Sequence, residues 1–448
     1  MTKENFKPFF VKEKKMKKLI ALMFAVLFLG AGIATASDLS MTGSYYVRGQ
    51  YYDGVTYDMN PLHDKSYAYY DHELSVDTKW KMDDTTFVTA RFEMRDENWG
   101  GANSPVENGS PATQTATFDD NIIVEQVWGQ TTFANGILLQ VGLMPAGAWG
   151  TSFASTSAEA YRIKTHIPTS IGTVIGILER GHAANNNLQA SAGATGSSEQ
   201  GNSTWGEDED DDIYHLALVT KVGDVFIKPL LTYKNLQSNT AMMDIDQFAA
   251  QLTLEGTMGK LGWETDFMYV NTDTGADTIS KDFDLFGAYG NVWYQIDAFK
   301  VGGFVAYGSY DKDAQVSFDM GDDFAPGGLL IIGDDLFDIE DGNPLTTQQH
   351  MGAGTLFGLY GEYAVNDKLS LSAVAAFATV NREGATAGTT LAAWDDADIF
   401  ELSGGFVYKI TPSLTYDGGI GMATVEFGDN TVDPDTIVEA FHRLSFAF

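Results

Sequence analysis

The chain has 448 residues, a formal net charge of -34 and no cysteine. The missing thiols exclude structural disulfides and thiolate metal sites, and so acidic a chain does not suit nucleic acid, whose phosphates need a basic surface. With 47 glycines, 28 phenylalanines and 20 tyrosines, the composition points to strands and turns rather than helices.

The N-terminal segment reads as an address. Lys14, Lys15, Lys17 and Lys18 precede the apolar run "LIALMFAVLFLGAG", and Ala34-Thr35-Ala36 follows it. A basic region, a short apolar core and a small-x-small site describe a cleavable secretory signal. The run is shorter than the ~20 apolar residues that span a bilayer. Residues 1–36 are therefore expected to be an N-terminal extension and signal peptide, with Met16 a second candidate start. Residues 37–448 are expected to form one domain. No later segment is long and apolar enough for a membrane helix, which leaves a soluble acidic β protein or a transmembrane barrel.

Alternation begins at once. In "LSMTGSYYVRGQYY" the residues Leu39, Met41, Tyr45, Val47 and Tyr51 share one face, and Ser40, Thr42, Ser44, Arg48 and Gln50 share the other. "ELSVDTKWKM" sets Leu74, Val76, Trp80 and Met82 against Glu73, Asp77, Lys79 and Lys81. After Asp83-Asp84, Val88, Ala90, Phe92 and Met94 alternate with Thr89, Arg91, Glu93 and Arg95. Period-two patterning of this kind marks strands paired as hairpins.

Tight turns such as "ANG" (134–136), "VGD" (222–224), "VNDK" (365–368) and "TPS" (411–413) join the hairpins. They alternate with long polar connections near 53–66, 96–119, 146–158, 181–212, 235–245, 271–281, 311–354, 381–398 and 428–436. A soluble sandwich gives no reason for loop length to depend on which end of the sheet it closes. A transmembrane barrel does, because its periplasmic turns are short and its extracellular loops long. Nine long connections predict an all-β, antiparallel up-and-down barrel of 18 strands, or 16 if one hairpin is mis-split. In the last strand Val438, Ala440, His442, Leu444, Phe446 and Phe448 share a face opposite Glu439, Phe441, Arg443, Ser445 and Ala447.

The polar face carries Arg48, Lys79, Arg91, Arg95, Lys164 and Lys228, too many ionised groups for a packed interior. Lipid is expected against the apolar face and water against the polar one. The pore lining is then Arg48, Glu73, Asp77, Lys79, Arg91, Glu93, Arg95, Arg162, Lys164 and Lys228.

A signal peptide, repeated amphipathic strands and a terminal strand ending in Phe448, with Phe446 and Leu444 in register, resemble the Gram-negative outer-membrane porins. The resemblance implies an outer-membrane location, a homotrimer, and a terminal strand (Leu444, Phe446, Phe448) read by the barrel assembly machinery. It also implies that a loop between the fifth and sixth strands folds inward as a constriction. "PAGAWGTSFASTSAEAY" (145–161) occupies that place and offers Trp149, Ser152 and Glu159.

Other chemistry is thin. His63, His72, His166, His182, His215, His350 and His442 show no paired metal-binding spacing, and no nucleophile frame collects a serine. No catalytic residue and no bound metal are expected. The loops are acid-rich, as in "EDEDDD" (207–212), and "NTDTGADTISKD" (271–282) spaces oxygens in a way that allows a loop-bound calcium ion without the full pattern. The segment "FAPGGLLIIGDDLF" (324–337) is apolar where water is expected. It folds over the mouth, lines a slot in the lumen, rests on a neighbouring subunit, or packs on the barrel's own rim. The expected function is passive diffusion of ions and small hydrophilic solutes through a water-filled channel of weak selectivity. The alternatives are a substrate-specific channel, or an enzyme or adhesin on a barrel scaffold.

Overall fold

The computed structural model describes residues 38–53, 66–99, 122–156, 158–180, 212–238, 243–274, 282–314, 316–321, 324–332, 353–380, 396–426 and 436–448. Residues 1–37, with the expected signal peptide, and the acidic run 207–211 lie outside them. The chain begins with β1 (Asp38–Asp53), β2 (Tyr67–Lys81), β3 (Thr86–Asn98), β4 (Ile123–Thr132), β5 (Leu138–Ala146) and β6 (Ala158–Thr169). Next come β7 (Gly172–Arg180), β8 (Asp212–Val222), β9 (Val225–Ser238), β10 (Met243–Met258), β11 (Leu261–Asp273), β12 (Phe283–Ile296) and β13 (Phe299–Gly308). A short hairpin of β14 (Tyr310–Asp311) and β15 (Val316–Ser317) sits within the following connection. The series ends with β16 (Gly354–Ala364), β17 (Leu369–Val380), β18 (Asp398–Thr411), β19 (Leu414–Glu426) and β20 (Ile437–Ala447).

All but β14 and β15 join one 18-stranded antiparallel sheet, and β20 pairs with β1 to close it. This is the strand number expected from loop lengths. Each hairpin of the sequence pairs with the next, so no strand edge is left open, as hydrocarbon requires. The outer face is apolar around the circumference: Val47's row and residues such as Val141, Ile163, Leu216, Phe248, Phe267, Phe286, Val305, Leu359, Leu402 and Ile420 point outward, the last ten of them exposed. So continuous an apolar exterior is a lipid-facing surface.

At the β2–β3 turn Asp83 organises the backbone. Its Oδ1 accepts from Thr85 N and Thr85 Oγ1, both at 2.7 Å, and from Thr86 N at 2.9 Å. The Thr85 hydroxyl, then the backbone amides, hold the Asp83 carboxyl below the usual carboxylate range.

The closing seam has its own chemistry. Gly43 N donates to Phe448 O at 2.9 Å, and Phe448 N donates to Gly43 O at 3.0 Å. A Cβ at Gly43 would collide with the Phe448 ring. His442 stands opposite Gly49 and reaches over it to Tyr70 on β2, with Tyr70 OH and His442 Nε2 3.2 Å apart. Phe446 and Phe448 are exposed on the outer face, with Leu444 in the same row.

Candidate functional site: the lumen

One arc of the inner wall, from β20 through β1 to β9, is charged. Arg48 Nε donates to Asp71 Oδ2 at 3.1 Å, Arg91 Nε to Asp77 Oδ1 at 3.0 Å, and Arg162 Nε to Glu179 Oε2 at 2.6 Å. Arg443 Nη2 lies 3.0 Å from Asp417 Oδ2. In each pair the partners stand directly opposite on adjacent strands. Antiparallel alternation puts both side chains on the same face at the same level, which is the geometry for a cross-strand ion pair. Lys228, opposite Thr253, pairs diagonally with Glu255 on β10, two residues off register.

Two further arrangements follow from local irregularity and closure. The β3–β4 register shifts at Arg91/Phe92, so Glu125 has no partner residue and turns inward beside Gln126. Glu125 then lies 3.8 Å from Arg91, and Gln126 Nε2 donates to Glu159 Oε1 at 3.4 Å. At the seam Arg48 and Arg443 face each other across β1 and β20. Tyr46 lies between them, 5.8 and 6.0 Å from the two guanidinium carbons.

Of the other residues expected to line the pore, Glu73 accepts from Ser75 Oγ, and Lys79 stands 3.8 Å over the Phe87 ring. Glu93 is on the same face of β3 as Arg91, and the Arg95 side chain lies outside the described residues. Lys164 is half-buried and, like Lys234 on β9, has no carboxylate within ion-pair distance among the described residues. Sequence reasoning missed Asp71, Glu125, Glu179, His215, Lys234, Asp417 and Arg443. Register was the signal for three of them: Asp71 and Arg443 stand opposite Arg48, and Glu179 stands opposite Arg162.

The other arc, β10 to β19, departs from the expected polar lining. Its inward rows hold Val270, Leu285, Tyr289, Phe304, Ala306, Leu356, Val374, Ala378 and Ile399, all buried in one apolar cluster. Two in-folded loops cover them. Inward glycines make room: Phe318 lies on Gly287, Phe304 on Gly358, Tyr360 on Gly302 and Trp293 on Gly262, each ring occupying the place a Cβ would take.

The first loop joins β5 to β6. Its described residues 147–156 include Trp149 and Ser152, whereas Glu159 belongs to β6 rather than to the loop. Gly147 (φ 77) and Gly150 (φ 79) turn the chain inward through a left-handed conformation that favours glycine. Trp149 Nε1 donates to Lys228 O at 3.1 Å, and Gln251 Nε2 donates to Trp149 O at 3.1 Å. The buried Asp266 accepts from Thr151 Oγ1, Gln251 and Thr253, each at 3.0 Å. Phe153, wholly buried, stacks between Tyr289 and Phe318.

The second loop joins β13 to β16 and contains the unassigned apolar segment. Residues 324–332 lie inside the barrel against its own wall and so line the lumen; 333–337 lie outside the described residues. Leu330 packs on Gly419 and Gly421, and the two loops meet where Ala154 N donates to Met320 O at 2.5 Å. Among the described residues no cluster of three His, Asp or Glu side chains is placed to hold a metal ion.

No family model matches the chain, and no curated protein matches it. Solved structures do. A BenF-like porin from Pseudomonas fluorescens is 10% identical over 93% of this chain and 100% of its own, with a TM-score of 0.55. Pseudomonas aeruginosa OccK2, crystallised in complex with glucuronate, is 10% identical over 92% and 98%, with a TM-score of 0.54. Acinetobacter baumannii OccAB3 is 12% identical over 91% and 99%, with a TM-score of 0.54. Likeness at such identities is one of architecture, and the chain has the closed-barrel fold of these structures.

Proposed function

We propose that the protein is a channel in a Gram-negative outer membrane through which ions and small hydrophilic solutes diffuse passively. The observation that carries this reading is an apolar outer face wrapped around a lumen with one charged wall. A barrel of 16–18 strands leaves room for an aqueous passage, whereas about eight strands would be filled by side chains. The outward row Leu444, Phe446 and Phe448 is the strand offered to the assembly machinery, and a homotrimer completes the proposal. The purified protein in a planar bilayer is expected to give discrete, ohmic conductance steps. Insertion without conductance would refute the channel.

A second reading, preference for small carboxylated solutes, is favoured by Lys164 and Lys234. Among the described residues no carboxylate acts on the Lys164 ammonium, which can attract an anion, and low-dielectric walls focus its field. Lys234 adds positive charge that Glu179 offsets in part. The glucuronate in the OccK2 structure is a solute of this class. Glucuronate is expected to reduce the KCl current at concentrations where glucose does not. Equal effects of the two sugars would remove the preference and leave a general diffusion channel.

A further inference from the structure

We infer that Glu401 on β18 sets the width of the passage, as a positioning residue that clamps the β13–β16 loop inside the barrel. The inference rests on the channel reading. Glu401 is wholly buried. Its Oε1 accepts from Leu330 N at 2.8 Å and from Ile331 N at 3.3 Å, and its Oε2 accepts from Ile332 N at 2.6 Å. Ser403 Oγ on the wall also donates to it. Three successive backbone N–H groups converging on one carboxylate form an anion-binding nest, with each bond strengthened by the charge.

The second buried carboxylate of the lumen provides the contrast. Asp266 holds the β5–β6 loop through Thr151, but it also accepts from the wall residues Gln251 and Thr253. It would keep those partners if its loop left. Glu401 would keep only Ser403 among the described residues and would open onto the lumen. With the loop docked the site is dry, and a carboxylate there without its three N–H partners would be strongly unfavourable, so the nest is what makes the buried charge tolerable. Reciprocally, with the loop docked, Glu401 is the acceptor for the three N–H groups of residues 330–332 among the described residues.

Undocking has a defined consequence. Segment 324–332 covers Phe304, Tyr360, Gly419 and Gly421, and Met320 on the same loop holds Ala154 of the first loop. Loss of the clamp withdraws material from the lumen and removes a support of the β5–β6 loop. Glu401 thus governs both constricting loops from one site on the wall.

The test compares Glu401→Gln, Glu401→Ala, Glu401→Asp and the loop variant Leu330→Asp with the parent in planar bilayers. Heat-modifiability on gels reports that each barrel is folded. Gln removes the charge and Ala removes the clamp, so both should raise single-channel conductance roughly two-fold, since conduction is limited at the narrowest point. Both should also admit larger neutral polyethylene glycols. Asp keeps the charge and should restore part of the parental value. Leu330→Asp leaves the wall intact and should reproduce the Ala phenotype by preventing the loop from seating. Folded Gln and Ala variants with parental conductance and size limit would overturn the inference. If those two fail to fold, parental conductance in Leu330→Asp would overturn it instead. A parent without conductance would count against the channel reading, not against the clamp.

Discussion

The two arcs of the inner wall obey the same alternation and carry opposite chemistry. From β20 to β9 the inward rows hold arginines, lysines and carboxylates paired across strands at one level. From β10 to β19 they hold mostly glycines, aromatics and aliphatics under two in-folded loops, with Glu264, the Lys300–Glu362 pair and the buried Asp266 and Glu401 set among them. Both faces are inward, so orientation in the barrel does not decide polarity. What differs is the cover: the two in-folded loops lie over the second row, and its aromatic and aliphatic side chains go with them. A β-barrel of this size is therefore half shell and half folded core.

The sharpest way to break this comparison is to place one charge on each arc. Ile399→Asp puts an unpaired carboxylate at a site with 0% exposure and should lower barrel stability by more than about 4 kcal/mol. Ser44→Asp, exposed on the charged arc, should stay within about 0.5 kcal/mol. Urea unfolding in detergent micelles measures both. Equal effects would mean that the packed arc is as wet as the other.

A smaller effect is expected from Phe153→Ala. It empties the centre of the aromatic stack and should weaken loop docking by about 3 kcal/mol. Protease cleavage near 147–156 and the mean conductance should both rise, with the strand core unchanged. Resistance equal to the parent's would show that Asp266 and Trp149 hold the loop without the ring.

Much of this architecture was legible. Alternation along "LSMTGSYYVRGQYY" and the regular exchange of short and long connections were enough for 18 strands and for the faces of Val47 and Arg48, because both are local properties. The division of the lumen was not. The glycine content pointed only to strands and turns in general, although Gly302 of "KVGGFVAYG", Gly358 of "GLYGEY" and Gly419 and Gly421 of "DGGIGM" recur at inward strand positions. Their partners are rings on a neighbouring strand or residues of a remote loop, such as Leu330 on Gly419. No window of sequence contains both members of such a contact. The apolar character of 324–337 was plain, but Glu401, the group that receives it, lies about seventy residues further on.

Returning to the charged arc, Lys164→Gln should change the chloride-to-potassium permeability ratio by about two- to three-fold toward potassium at low salt, and less as salt screens the lumen. Reversal potentials across a KCl gradient report it. A shift of the same size at both ionic strengths would place Lys164 away from the path of the ions.

The smallest effect belongs outside the lumen, at Asp83. Its folded carboxyl titrates below its unfolded value, so its contribution to stability is present above the usual carboxylate range and is lost as pH falls through the folded value. Asp83→Ala should shift the unfolding midpoint slightly at neutral pH, and the two curves should converge in acid. A difference that persists there would assign the effect to the turn's backbone rather than to the carboxylate.

Consider finally the seam. Gly43 and Gly49 are two vacant notches on β1, and Phe448 and His442 are two rings with the same spacing on β20. A slip of two residues keeps every side chain on its proper face, and alternation alone would accept it. It would, however, bring Phe448 opposite Met41 or Tyr45 and His442 opposite Val47 or Tyr51, so both teeth would jam at once. The barrel can be shut only with the key in one position. A chain whose last strand arrives out of step is refused by its first, and the final ring of the sequence is what reads the fit.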